Sequence, residues 1–356
     1  MKKSMIALAI AVTSAASVAA EHHVSIPEID SSAWAVNPVD HGMTAGEFIT
    51  GEVNAFFNHF IKLNGINNFH HWDGLTKADD HFVVSPNQDT VYSLVIVNTT
   101  QDFTLELPDT GDRFMATHVM DGNHSTPFYL YGGGTHKFKS TDFETDFAML
   151  GFRIGTDGSD EDAKYIREHI QNKMKLHGAA TNDVVPMPDL ETLVKVRTAL
   201  ITEYDKLSNT SGVMTDSVAS QTDWEKFTYV SAGALVLSPD HTAMYHPYAL
   251  EGVKGGDCYE ATYPAVPAKE FFSITVYGQD KYLMTNDDNI VSSQQGVITN
   301  KDGSFDVVFG DYACKQEGKN FIYTPNDNWA FLMRAYRPDV DAFNDYVLPE
   351  IKPVAK

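Results

Sequence analysis

Phe103-Thr104-Leu105-Glu106-Leu107-Pro108-Asp109-Thr110-Gly111 is the stretch on which the fold class turns. Apolar and polar side chains alternate over the first five residues, the period of a strand with one buried face, and Pro-Asp-Thr-Gly then makes a turn. Working outward, Val83-Val84 and Thr90 to Val97 are rich in β-branched and aromatic residues, and Arg113 to Met120 and Phe128 to Tyr131 follow as strands. Short strands punctuated by turns predict a first β-sandwich over residues 75–155.

Strands return near the C-terminus at Cys258 to Tyr263, Phe271 to Tyr277, Ser304 to Phe309 and Trp329 to Tyr336, with Asn300-Lys301-Asp302-Gly303 as a hairpin turn. They predict a second β-sandwich over 241–356. The segment 156–240 between them reads as helical. Ser159 and Asp162 have capping-box spacing and open a helix to about His177. Leu190, Leu193, Val194, Leu200 and Ile201 mark one face of a longer helix, and Thr222 and Glu225 cap a third through about Leu235. Residues 21–74 form an extended arm and one helix. That helix is capped by Thr44 and Glu47, apolar at Ile49, Val53, Phe56, Phe57 and Phe60, and stopped at Gly65. His70-His71 reads as a solvated turn. The expected whole is mainly β, with two sandwiches joined by helices.

Residues 1–20 have the layout of a secretory signal peptide: Lys2-Lys3, an apolar run from Met5 to Val12, then small residues to Val18-Ala19-Ala20. That run is too short to span a bilayer, which takes about 20 apolar residues. A periplasmic or secreted protein without a membrane anchor after cleavage is expected. Against 48 acidic residues stand 26 Lys and Arg, for a net charge of −22. Such a surface repels phosphate backbones and anionic lipids, so nucleic acid is not an expected partner. In an oxidising compartment the two cysteines, Cys258 and Cys314, are expected to pair.

No Gly-x-Ser-x-Gly elbow, His-Glu-x-x-His, phosphate-binding Gly-Lys-Ser/Thr loop or Gly-x-Gly-x-x-Gly is present, which argues against the common serine hydrolases, zinc peptidases and nucleotide enzymes. Candidate chemistry concentrates at strand ends. In Ser85-Pro86-Asn87-Gln88-Asp89-Thr90-Val91-Tyr92, Asn87 and Thr90 suit local backbone bonding as well as ligand binding. Asp89 beside an apolar strand needs a partner. Arg334, opposite in parity to Met333, is a candidate for that role, as a salt bridge or as a substrate anchor. His118 suits acid–base work and Asp121 suits orienting it, with His124 nearby. Tyr92 and Tyr277 are candidate ligand contacts. The spacing matches no established metal-ligand pattern, so no metal or other cofactor is expected.

Pro86-Asn87-x-Asp89-Thr90-x-Tyr92 followed by Leu107-Pro108-Asp109-Thr110-Gly111-Asp112-Arg113-Phe114 and Asp121 resembles the domain of unknown function numbered 1254. Phe271 to Tyr277, Asp302-Gly303-Ser304-Phe305, Asn328-Trp329 and Arg334-Ala335-Tyr336-Arg337-Pro338 resemble its frequent companion, numbered 1214. The resemblance implies an immunoglobulin-like β domain, a helical part and a jelly-roll-like β domain, and it brings no established activity. The leading expectation is an enzyme acting on a small polar molecule between the β domains, with Asp89 and His118 as acid and base. Its rivals are a saccharide or small-ligand binding protein without chemistry and an envelope structural module, with a homodimer as one form of assembly.

Overall fold

A computed structural model describes residues 23–81, 84–249 and 251–354. The signal-peptide reading and Val83 lie outside them, and Val84 sits in a bend rather than a strand.

Helix α1, Ala45–Asn64, begins with the expected capping box: Thr44 accepts from the Glu47 amide while Glu47 bonds back to the Thr44 amide. Gly65, at φ 83°, closes it with an amide bond to Ile61 O. The strands that follow are β1 (His70–His71), β2 (Thr90–Asn98), β3 (Phe103–Leu107), β4 (Met115–Asp121), β5 (Phe128–Tyr131), β6 (Gly134–Phe138), β7 (Phe147–Gly155) and, after α2 (Asp160–His169), β8 (Lys175–His177). Helices α3 (Leu190–Tyr204) and α4 (Trp224–Gly233) lead to β9 (Ala243–Ala249), β10 (Tyr259–Tyr263), β11 (Ala268–Tyr277), β12 (Ile290–Ser292), β13 (Phe305–Gly310), β14 (Asn320–Tyr323) and β15 (Ala330–Pro338). The short α5 (Val340–Asn344) and β16 (Lys352–Pro353) complete the chain.

The protein is mainly β. Strands pair in the order β1-β2-β7-β4-β5 in one sheet and β6-β3-β8 in another. Val91, Val95 and Val97 of the first meet Phe103, Leu105 and Leu107 of the second in one core, which makes a sandwich. The opening nonapeptide supplies its central thin-sheet strand, buried at Phe103, Leu105 and Leu107 and half-buried at Thr104 and Glu106. The second sandwich stacks β14-β13-β10-β16 on β12-β11-β15-β9 around Tyr263, Phe305, Phe309, Trp329, Phe331 and Met333. Its β13–β14 pair is parallel, unlike the rest of its ladders. Cys258 and Cys314 are bonded, with Cα atoms 5.4 Å apart.

Four local expectations need correcting. The helix opened by Ser159 ends at His169, and residues 175–177 pair with β3 instead, because Leu176 finds the edge of the thin sheet. The third helix is capped by Asp223, not Thr222: its carboxylate accepts from the Lys226 amide. His70-His71 is not a solvated turn but a half-buried strand, paired with Leu94 and Ser93. Asn300 to Gly303 does turn the chain, with Asn300 N donating to Ser304 O, but no strand precedes it.

Strand parity explains how the halves meet. The outer face of the five-stranded sheet carries Tyr92, Leu94 and Ile96 on β2. At the Ile96 end, α1 covers it with Val53, Phe57 and Phe60. At the Tyr92 end the cover is the outer face of β12-β11-β15-β9, with Phe114 set edge-on to Phe271, ring centroids 4.9 Å apart.

Candidate functional site

The residues Ser85 to Asp89 form a peg that the second sandwich grips. Ser85, at φ 48°, gives its carbonyl to Arg334 Nη2 at 2.6 Å and its amide to Lys281 O. The Tyr277 hydroxyl donates to Pro86 O at 2.8 Å, and Gln295 donates to Gln88 O. Asn87 folds its Oδ1 back onto the amides of Asp89 and Thr90, at 2.6 and 3.0 Å, and its Nδ2 reaches the Tyr336 hydroxyl. This is the local turn that a short amide favours, and it leaves Thr90 buried.

Asp89 has no solvent exposure. Its two oxygens accept from the hydroxyls of Ser273 (2.6 Å) and Ser292 (2.7 Å), neighbours across the β11–β12 ladder. Arg334 lies beside Ser273 in the β11–β15 register and adds electrostatic attraction, yet no ion pair joins it to Asp89 among the described residues. Its parity is as expected: Met333 enters the core and Arg334 the seam. Burial pushes the Asp89 carboxyl above the ordinary carboxylate range, while the serine hydroxyls, Arg334 and Tyr336 pull the other way. A carboxylate so enclosed mates two domains.

His118 and Asp121 separate. Alternation along β4 puts His118 on the outer face and Asp121 on the other. Asp121 Oδ1 accepts from the amides of Asn123 (2.9 Å) and Ser125 (3.0 Å), while Oδ2 is buried without a hydrogen-bond partner. Burial pushes its carboxyl up to about 7. His124 bonds Ser231 and the Val236 amide, and burial takes its imidazole down to about 3. His118 bonds Thr126 through Nε2 at 2.9 Å. Burial, then Arg153, then His124 hold it neutral, well below the ordinary imidazole range.

Arg153 was not among the expected residues, and it changes the site. It lies level with Tyr92 on β2 and Ala116 on β4, and Ala116 in turn is level with Tyr131 on β5. Its guanidinium is 5.9 Å from the Tyr92 ring centre and feels the hydroxyls of Tyr92, Tyr129, Tyr245 and Tyr336. No acid comes within ion-pairing distance of it among the described residues, and its Nη1 is sealed from water with no hydrogen-bond acceptor. The Tyr131 hydroxyl is likewise buried and unpartnered, while the Tyr129 hydroxyl faces the hydroxyls of Ser238 and Thr242. The signal was in the sequence: one arginine inside the apolar run Phe147 to Gly155, the pattern that singled out Arg334. Ser273, Ser292 and Tyr336 carried no such mark.

A surface groove of about 470 Å³ opens beside this cluster, lined by Tyr131, His241, Lys269, Arg337, Pro338 and Asp339 among others. Arg337 lies over the Tyr131 ring at 4.8 Å and pairs with Glu270. Tyr131 is thus a wall of the groove and a neighbour of Arg153.

Residues 66–143 match the family described as "Protein of unknown function (DUF1254)", and residues 248–340 match "Protein of unknown function (DUF1214)". No curated protein matches the chain. Among solved structures, the VPA0106 protein from Vibrio parahaemolyticus superposes with a TM-score of 0.69. It shares 17% identity over 89% of this chain and 100% of that one. An uncharacterised protein from Burkholderia cenocepacia gives a TM-score of 0.50, with 9% identity over 87% of each chain. At these identities the likeness is one of fold.

Proposed function

We propose, for a chain that carries a DUF1254 domain and a DUF1214 domain, that it binds and transforms a small polar molecule at the seam between its two sandwiches. One observation carries this reading. Arg153 Nη1 and the Tyr131 hydroxyl stand unpartnered at that seam, whereas folded proteins pair nearly all their buried polar atoms. Each such group costs about 1–3 kcal/mol, a cost that a polar ligand would remove. His118, neutral and diagonal to Arg153 across β4 and β7, is the proton acceptor in this reading. Asp89, Tyr277 and Arg334 set the spacing of the two walls, as do Asn87 and Thr90. Tyr92 is a ligand contact.

The Lys2-Lys3, Met5–Val12 and Val18-Ala19-Ala20 layout and the Cys258–Cys314 bond support a protein exported to the periplasm or beyond. No helix among the described residues is long and apolar enough to cross a membrane.

Thermal unfolding in the presence of a panel of sugars, alcohols, amino acids and organic acids tests the binding. At least one compound raises the melting temperature of the wild type and fails to do so when Arg153 is replaced by Met. A panel without any shift removes the reading. Following the bound compound by NMR then decides between chemistry and binding alone: conversion that is lost in His118→Asn, with binding retained, marks an enzyme, and an unchanged compound marks a binding protein.

A further inference from the structure

We infer that the ligand of this seam is an anion, a small carboxylate taken two-pronged by Arg153 after entering along the Lys269–Arg337 groove. The inference rests on the reading above and narrows it to a charge and a shape.

The chain has six arginines, all within the described residues. Arg113 pairs with Asp162, Arg167 with Asp73, Arg197 with Glu52 and Arg337 with Glu270, while Arg334 donates to Ser85 O. Among the described residues Arg153 is the arginine with no ion pair or hydrogen-bond acceptor, its Nη1 sealed from water. Arg153 is half-buried, and a sealed donor without an acceptor carries a cost in stability that an anion would remove. Around the guanidinium lie the hydroxyls of Tyr92, Tyr129 and Tyr245, which can donate to an anion, while the Tyr336 hydroxyl is held by Asn87 and Asp89, and no carboxylate pairs with Arg153 among the described residues. The planar fork of a guanidinium matches the two oxygens of a carboxylate better than it matches a sugar hydroxyl.

The groove beside it holds two cations, Lys269 and Arg337, with Arg337 paired to Glu270 and Asp339 also in the lining. Lys269 is the cation there that no ion pair engages among the described residues, and it is the one that would draw a small anion inward.

Isothermal titration with sodium acetate, sodium succinate and inorganic phosphate, against chloride at matched ionic strength and with glycerol and glucose as neutral probes, tests the inference. Wild-type protein should bind acetate or succinate more tightly than phosphate. Arg153→Met should lower that affinity at least tenfold, and Arg153→Lys should keep part of it. Lys269→Glu, a surface change that leaves the fold intact, should weaken anion binding severalfold and leave any neutral binding as it was. Phosphate binding with no response to carboxylates would replace the carboxylate by a tetrahedral oxyanion and overturn the two-pronged assignment. Neutral probes that bind while every anion fails would overturn the anionic ligand and leave the seam as a site. If no probe of either kind binds, the site reading falls with it. Anion affinity unchanged in both Arg153→Met and Lys269→Glu would place the anion elsewhere on the molecule and overturn the inference as well.

Discussion

Asp89, fully buried, and Arg153, half-buried, are charged groups in one seam, and their surroundings are opposite. Asp89 reaches across to the second sandwich and finds two hydroxyls, with Arg334 and Tyr336 adding to the field. Arg153 looks toward the same sandwich and finds tyrosines that do not bond it. In the first region the main bonds of the peg Ser85–Asp89 are made, and of the groups that grip it Arg334 bonds through Nη2 while its Nη1 is left without an acceptor. In the second the donors are positioned and the acceptor is missing. The difference separates a place that holds the protein together from a place kept for something else.

The largest break in that comparison should come from Asp89→Ala. It strands the hydroxyls of Ser273 and Ser292 and leaves Arg334 without its counter-field, so urea unfolding should show a loss of about 2–6 kcal/mol, about 1–3 for each stranded hydroxyl. A loss below 1 kcal/mol would mean that the peg is not a clamp.

Asp121, with one oxygen satisfied and one orphaned, lies between the two cases. Its folded pKa of about 7 stands above the ordinary 3.8, so the stability it contributes is fully present below about pH 4 and is lost as pH rises through 7. His124 works in the opposite sense: held down to about 3, it costs stability as pH falls from 6.5 through 3. Asp121→Asn therefore gains on the wild type by up to about 4 kcal/mol between pH 4 and 8, measured as the difference of two urea series. A flat difference would place the Asp121 carboxyl in the ordinary range.

Two tyrosines sharpen the comparison at smaller scale. Tyr277→Phe removes the donor to Pro86 O and should cost about 1–3 kcal/mol. Tyr131→Phe removes a buried hydroxyl that nothing answers and should raise stability by about 1–3 kcal/mol. Equal costs would erase the distinction. Arg153→Met should be the least damaging change to a charged group of the seam, between neutral and about 1 kcal/mol stabilising, since it removes an unmet charge at little loss of packing. Clear destabilisation would show that a protein group answers Arg153.

The sequence by itself determined the elements and their faces. Alternation in Phe103 to Leu107 placed a half-buried strand, Thr44 and Glu47 placed a helix start, and parity alone turned Arg334 away from the core. The pairing of Cys258 with Cys314 followed from there being only two cysteines. These are legible because they depend on neighbours within a turn or a strand. Tertiary structure decided the rest. Asp89 meets hydroxyls 184 and 203 residues away, and His118 parts from Asp121 although three positions separate them. Whether a polar group is answered or left waiting depends on what the docking of two sandwiches brings opposite it, and no local pattern encodes that docking. Arg153 and Arg334 look alike in sequence, each set inside an apolar strand, and only the second finds a carbonyl within reach.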